Sequence, residues 1–152
     1  MRILVSGATG FIGRYLCRML NDRGHQVVVL SRDKKRASRI LPWADSVHEW
    51  APIRGEPDIF DFAKVDAVVN LAGESIQGLW TKAKRREILN SRVIGTSNLI
   101  AAMERQDDPP KVFVNASAAG WYGDRREDLL REDAAPGKTF LARVSQKWEE
   151  AS

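Results

Sequence analysis

Three glycines near the start of the chain have the spacing of a phosphate-binding turn. The segment reads Gly7, Ala8, Thr9, Gly10, Phe11, Ile12 and Gly13. It follows a short apolar run and precedes a helical pattern, which is the context that such a turn requires. Glycines let the backbone approach a pyrophosphate closely, and free N–H groups at a helix start attract phosphate. We therefore predict a dinucleotide site formed by Gly7, Thr9, Gly10, Phe11, Ile12 and Gly13; the alternative is a glycine-rich turn of purely structural use.

The end of the second apolar run distinguishes the two nicotinamide coenzymes. In proteins that bind NAD, an acidic residue about 20 positions after the glycines holds the ribose 2′-hydroxyl. Here the run Val27 to Leu30 leads to Ser31 and Arg32, and Asp33 comes one position late, where a helix cap is its better use. A guanidinium binds a 2′-phosphate as a planar fork. Ser31 and Arg32 therefore favour NADP(H) over NAD(H), the alternative being that Arg32 is an exposed residue at the start of a helix.

Short apolar runs alternate with helical patterns along the chain, as in βαβ units. Strands are predicted at 3–5, 27–30, 47–50, 67–71 and 112–115, with a loop at 51–61. Helices are predicted from 12 to Gly24, from Asp33 to 41, from 82 to 105, and from 140 onwards, still running at Ser152. The inward stripe of the long helix is predicted to be Leu89, Val93, Thr96, Ile100 and Met103.

This alternation predicts an α/β fold with a doubly wound parallel sheet, the Rossmann fold, and five strands in the order 3-2-1-4-5. A complete fold of this type has about six strands. We therefore expect residues 1–152 to be one incomplete NAD(P)-binding domain, an N-terminal fragment that lacks a C-terminal substrate part.

Two side chains after predicted strands are candidates for cofactor contacts. Trp50 ends the third strand, where the adenine ring often rests, so it could stack on adenine or serve as a packing anchor. Glu74 follows the fourth strand closely, and its carboxylate could bond the ribose or a substrate, or be a surface charge.

Composition excludes several classes of protein. Of the 152 residues, 43% are hydrophobic and 29% are charged, which is ordinary for a globular domain. The single cysteine, Cys17, cannot form an internal disulfide, and no run approaches the ~18 apolar residues of a membrane span. No Cys/His/carboxylate spacing suggests a metal site. Because no targeting segment or membrane span is visible, we expect a cytoplasmic protein without a membrane partner. We expect no nucleic-acid partner, because the basic residues behind the +4 net charge do not form a stripe interleaved with exposed aromatics; a homodimer stays open.

Further motifs make the chain resemble the extended short-chain dehydrogenases/reductases. They are Asn70 to Gly73, Val93 to Thr96 with Leu99, Val114 to Ser117, and Tyr122-Gly123. A narrower resemblance, to the atypical branch called epimerase family proteins (NAD-dependent epimerase/dehydratase-like), rests on Asn70 to Glu74, Trp80-Thr81, Ser91-Arg92, Trp121 to Gly123 and Trp148-Glu149. The resemblance covers the whole chain. It implies a Rossmann fold, bound NADP(H), and cofactor contacts from Leu71, Ala72 and Gly73.

The same resemblance implies catalytic residues, two of which are altered here. The family uses a serine, a tyrosine that moves a proton, a lysine four residues after it, and often an asparagine on the long helix. Ser117 and Lys147 match the serine and the lysine, but Arg143 stands in place of the tyrosine and Arg92 in place of the asparagine. Arginine cannot give up a proton near neutral pH. Tyr122 is the remaining candidate acid, or else a packing residue of its turn.

Two functions stay open at this stage. One is an NADP(H)-dependent oxidoreductase or epimerase that acts on a small molecule of unknown identity, with Ser117, Tyr122 and Lys147 as catalytic candidates. The other is a non-catalytic NADP-binding regulator, for example of cell or organelle division, which the altered positions favour. The long-helix asparagine and the tyrosine are what the sequence lacks for the first function.

Overall fold

The computed structural model describes residues 1–58, 62 and 64–152 and contains one parallel sheet in the order β3-β2-β1-β4-β5. The strands are β1 (Arg2–Ser6), β2 (Gln26–Ser31), β3 (Ser46–Glu49), β4 (Ala67–Asn70) and β5 (Val112–Asn115). The predicted fold class and strand order are confirmed. Residues 59–61, which belong to the predicted loop, lie outside the described residues.

Within the described residues, four α-helices cover the two faces of this sheet, and a 3-10 helix spans Ala119–Trp121. The α-helices are α1 (Phe11–Asp22), α2 (Lys34–Ile40), α3 (Lys82–Glu104) and α4 (Phe140–Glu149). Because side chains alternate along a strand, β1 sends Ile3 and Val5 into the core that contains Cys17 of α1, and Leu4 into the core that contains Leu99 of α3. The three central strands, β1, β2 and β4, are buried on both faces, which explains their unbroken apolar runs, whereas the edge strand β5 has exposed residues at Val112 and Val114.

The ends of two helices test the local predictions. At the end of α1, Gly24 has φ +77, its N–H bonds the Asn21 carbonyl at 2.9 Å, and the His25 N–H bonds the Leu20 carbonyl at 3.1 Å. This left-handed cap is as predicted. The prediction that the last helix is still running at Ser152 is wrong: α4 ends at Glu149, because Ser152 N–H bonds the carbonyl three residues back, at 3.1 Å, in a tight turn.

The predicted inward stripe of α3 is only partly correct. Thr96 and Met103 are buried as predicted, but Leu89, Val93 and Ile100 are half-buried. The buried residues of the helix are Ile88, Gly95, Thr96, Leu99, Ala102 and Met103. Since α3 packs against both the sheet and α4, apolar residues lie on several of its sides, and periodicity does not single out one face. Among the described residues, no helix is long and apolar enough to cross a membrane.

Candidate functional site

A cleft of about 670 Å³ opens at the carboxyl edge of the sheet, beside the point between β1 and β4 where the strand order reverses. Doubly wound sheets bind their ligands at this point. The predicted cofactor residues that line the cleft are Gly7, Thr9, Gly10, Ser31, Arg32, Trp50, Leu71, Ala72, Gly73 and Glu74. Four separate loops therefore bring these residues to one cavity.

The turn after β1 is packed too closely for side chains at two of its glycines. Gly7 has φ +70, and a Cβ there would lie 2.5 Å from the Leu71 carbonyl oxygen. A Cβ on Gly13 would meet the Gly7 carbonyl oxygen and lie 2.7 Å from Cα of Ala8. Both glycines are thus required by the packing of the chain on itself, where α1 and the loop after β4 meet the turn.

Gly10 differs from these two glycines. It is exposed, its φ of −73° suits any residue, and an added Cβ would have one neighbour, the Gly7 carbonyl oxygen at 3.2 Å. A side chain at this position would therefore require only a small shift of the Gly7 carbonyl, in contrast to the collisions at Gly7 and Gly13. Gly10 lines the cleft, so the space that a side chain would fill is cleft volume.

The start of α1 offers unpaired N–H groups beside that space. No side chain of the described residues caps α1, whereas Asp33, Thr81 and Thr139 cap the other three helices. The first-turn N–H groups of a helix have no partner within the helix, and its dipole favours negative charge there. The side chains of Phe11 and Ile12 in this turn are 75% and 66% exposed. The first turn of α1 can therefore supply backbone N–H groups as hydrogen-bond donors to an anion.

The residues after β2 carry positive charge at the opposite end of the cleft. The Asp33 carboxylate accepts a 2.9 Å hydrogen bond from the Arg36 N–H, and the Asp33 N–H donates to Ser31 Oγ at 3.3 Å. The carboxylate that follows the strand most closely in sequence, Asp33, is therefore engaged as the cap of α2. Arg32 and Arg36 both line the cleft.

Glu74 faces Arg32 from the other rim. Its Oε1 accepts from Lys84 Nζ at 2.5 Å, and its Oε2 accepts from Arg32 Nη1 at 3.3 Å. The hydrogen bond from Lys84, together with the positive charges of Lys84 and Arg32, outweighs burial and lowers the pKa of Glu74. The carboxylate is therefore ionised at neutral pH.

Arg92, at the position where the resemblance expects an asparagine, holds the loop after β4. Its Nη1 donates to the Glu74 carbonyl oxygen at 3.0 Å, and its guanidinium lies 5.1 Å from the ring centre of Trp148. A Cβ on Gly73 would lie 2.9 Å from Arg92 Cζ. Burial lowers the pKa of Arg92, and the charge of Glu74 opposes this effect.

A buried hydrogen-bond network centred on Asn70 ties the site's elements together. Asn70 Oδ1 accepts from Ser6 Oγ at 2.5 Å, and Asn70 Nδ2 donates to Thr96 Oγ1 at 2.9 Å and to Asn115 Oδ1 at 2.8 Å. Trp148 Nε1 donates to the same Thr96 oxygen at 3.0 Å. Side chains of β1, β4, β5, α3 and α4 thus meet behind the cleft, and the atoms named here are paired, while Asn115 Nδ2 is buried without a hydrogen-bond partner among the described residues.

The three predicted catalytic residues do not share one cavity. Ser117 is exposed, and its hydroxyl donates to the Glu149 carboxylate at the end of α4. Lys147 is exposed on α4. Tyr122 lines a separate depression of about 470 Å³ with Gly123 and the 136–139 segment, rather than the cleft described above.

Sequence reasoning missed some residues of the site. Arg54, in the loop after β3, lines the cleft, and Glu149 pairs with Ser117. The rule that loops at the carboxyl ends of parallel strands converge could have found Arg54. We see no sequence signal for the Ser117–Glu149 pair. Within the described part of the chain, no three His, Cys, Asp or Glu side chains are grouped as metal ligands.

Comparison with known proteins relates this architecture to one family. A family model described as "NAD dependent epimerase/dehydratase family" matches residues 3–144. Epimerase family protein YfhF of Bacillus subtilis (strain 168) is 33% identical over 151 residues, which are 98% of this chain and 48% of that protein.

Solved structures agree with this match. Human epimerase family protein SDR39U1 (isoform 2), in a crystal structure with NADPH, has a TM-score of 0.79 and 34% identity and covers 99% of this chain and 48% of its own. UDP-glucuronic acid 4-epimerase from Bacillus cereus, in complex with NAD, has a TM-score of 0.80 at 23% identity over 99% of this chain and 50% of its own, and so shows a shared fold. The chain spans about half the length of the relatives it matches.

Proposed function

The chain belongs to the NAD dependent epimerase/dehydratase family, which confirms the motif-based resemblance, and we propose that it binds a dinucleotide, NADP(H), in the cleft after β1. The observation that carries this proposal is the contrast among the glycines. Gly7 and Gly13 serve the chain's own packing, while Gly10 leaves empty cleft volume in front of an uncapped helix start. A diphosphate fits that space, and the amides of Phe11 and Ile12 would donate to it.

The charges at the far end of the cleft support NADP(H) over NAD(H). Arg32 and Arg36 line the cleft beside Ser31, and Asp33 is held by its role as a helix cap. A 2′-phosphate gains charge-assisted hydrogen bonds from such a cluster, whereas a free 2′-hydroxyl needs a carboxylate acceptor. The NADPH in the human relative's structure agrees with this preference, although the B. cereus epimerase holds NAD.

Trp50 would contribute an edge of its ring to the adenine side of the cleft. It is 5% exposed, and its indole N–H donates to the Gly55 carbonyl at 2.9 Å. Most of the ring packs with Leu30 and Phe62 in the core. We therefore assign Trp50 to the wall of the site, with Leu71, Ala72 and Gly73 beneath the ribose.

We further propose that the chain is the coenzyme-binding part of an oxidoreductase or epimerase. The coenzyme, when bound, supplies hydride transfer. Ser117 would bind the substrate oxygen. Because the Ser117 hydroxyl donates to the Glu149 carboxylate, a proton released by the substrate hydroxyl would pass through Ser117 to that carboxylate. Lys147 on the same helix would add positive charge near the reacting oxygen, while Tyr122, which lines the separate depression, has the weakest support.

A second candidate, a non-catalytic NADP-binding regulator, is favoured by the two altered catalytic positions. Arg92 is engaged with Glu74 and Trp148, and Arg143 Nη1 donates to the Lys138 carbonyl at 2.8 Å, so neither is placed as a proton donor. The test is to incubate the full chain with NADPH and a panel of carbonyl compounds and follow the absorbance of the reduced coenzyme. Turnover supports the enzyme, and stoichiometric binding without turnover supports the regulator.

A further inference from the structure

One ion pair joins the two rims of the cleft. Arg32, in the loop after β2, contacts Glu74, in the loop after β4, at 3.3 Å, and both residues line the cleft. The segments that meet here are 42 residues apart in sequence. The pair therefore links the two rims of the cleft in which we place the coenzyme.

The two partners differ in how firmly they are held. The Arg32 side chain is 71% exposed, and the Glu74 side chain is 22% exposed. Glu74 is fixed on three sides: Lys84 contacts its other carboxylate oxygen, Ser91 Oγ accepts its N–H at 2.9 Å, and Arg92 holds its carbonyl oxygen. Glu74 cannot follow Arg32 across the cleft, so any partner that takes Arg32 away must break the pair.

We propose that Glu74 is a coenzyme-specificity residue that competes with the 2′-phosphate of NADP(H) for the Arg32 guanidinium. This inference rests on the proposed function. Glu74 accepts a hydrogen bond from Arg32 Nη1, so a 2′-phosphate that binds this guanidinium as a fork competes for that donor and for the orientation of the side chain, and it meets the carboxylate's negative charge across the cleft. NAD(H) carries no 2′-phosphate and is indifferent to this competition. Glu74 thus limits how far the protein prefers NADP(H).

The Glu74→Gln variant isolates the charge. Glutamine keeps an oxygen that can accept a hydrogen bond from Lys84 or from a ribose hydroxyl, but it no longer holds Arg32 as an ion pair. The free energy of an exposed ion pair corresponds to about a two- to fivefold change in a binding constant. Glu87, on α3, lines the same cleft, and Glu87→Gln removes an equal charge as the matched control.

The experiment measures the dissociation constants of NADPH and NADH for the full chain and both variants by calorimetry, with unfolding curves to check the fold. The expected result is that Glu74→Gln binds NADPH about two- to fivefold more tightly, with a much smaller change for NADH and for Glu87→Gln.

Several outcomes overturn the inference. An unchanged or weaker NADPH affinity in Glu74→Gln means that Arg32 bridges both anions. An equal gain in Glu87→Gln, or an equal gain for NADH, means that only the general charge of the cleft matters. In these cases the unchanged chain still binds NADPH, and the proposed function stands. If the unchanged chain binds neither coenzyme, the proposed function fails and this inference fails with it.

Discussion

Gly13 lies against the carbonyl oxygen of Gly7, closer than any side-chain carbon could approach. This contact joins the first turn of α1 to the end of β1 and explains Gly13 by packing alone, while the φ of +70 and the nearby Leu71 carbonyl oxygen explain Gly7. A Cβ on Gly10 would lie 3.2 Å from the Gly7 carbonyl oxygen, a milder contact, and we propose that this glycine serves the ligand that enters the cleft. On this proposal the contrast separates a requirement of the fold from a requirement of the ligand.

Replacing Gly10 with valine is expected to weaken coenzyme binding strongly while the protein still folds. The β-branched side chain would occupy the cleft in front of the α1 amides, whereas the backbone at φ −73° accepts it. NADPH affinity should fall by about tenfold or more, the equivalent of losing one charge-assisted hydrogen bond. Unchanged affinity would refute the assignment of the phosphate turn.

The matched control is Gly13→Ala. Its Cβ would collide with backbone atoms of Gly7 and Ala8, so the free energy of unfolding should fall, by about 1–3 kcal/mol as for an overpacked core. Chemical denaturation measures this loss. Equal stability of the two variants would mean that the close packing of the turn has been misjudged.

Reversing the charge of Arg32 is expected to separate the two coenzymes. Arg32→Glu removes the guanidinium and places a carboxylate where a ribose 2′-hydroxyl can donate, so NADPH affinity should fall about 10- to 100-fold and NADH affinity should change little. Lys35→Glu makes the same charge change on α2, but Lys35 is not among the residues that line the cleft. Equal losses for both coenzymes in Arg32→Glu would show that the 2′-phosphate lies elsewhere.

Asn70 is expected to contribute more to the free energy of unfolding than a polar residue that makes a single hydrogen bond. Asn70→Ala removes one hydrogen bond from each of Ser6, Thr96 and Asn115 in a buried network. The free energy of unfolding should therefore fall by about 2–4 kcal/mol. The comparison variant is Asn98→Ala, which removes one hydrogen bond, to the Pro52 carbonyl at 2.7 Å, and should cost about 1 kcal/mol. Equal costs in denaturation would argue against the network.

Alkaline pH should destabilise the protein through Cys17. Burial raises the pKa of this thiol from 9.0 to about 12. Because the unfolded chain loses the proton at lower pH than the folded chain, the stabilisation is complete below pH 9 and is lost as the pH rises towards 12, by up to about 1.4 kcal/mol per pH unit.

The variant Cys17→Ala isolates this effect from the tyrosines and lysines that titrate in the same range. Unfolding free energies of both proteins should be measured between pH 8 and pH 11, and the two curves should converge as the pH rises. Parallel curves would mean that the thiol is exposed enough to ionise in the folded state.

Features that depend on local sequence were predictable. The glycine turn, the cap at Gly24 and the apolar strands such as Val112–Asn115 follow from periodicity and backbone preference, and the structure contains them. The carboxylate of Asp33 was also expected to cap a helix, because it comes one residue after the strand tip, and it does so.

Features that depend on tertiary packing were not predictable in the same way. The inward face of α3 could not be identified because α4 buries a second side of that helix. The pairing of Ser117 with Glu149 needs two segments 32 residues apart to meet. The reach of Arg32 to Glu74 likewise depends on the width of the cleft, which no sequence pattern encodes.

The most direct test of the account is titration calorimetry of the folded full chain with NADPH and with NADH. The account predicts one binding site, with heat released or absorbed for NADPH and a weaker affinity for NADH, since the cleft carries Arg32 and Arg36. Absence of binding by either coenzyme, on protein whose folding is verified by a cooperative unfolding transition, would contradict it.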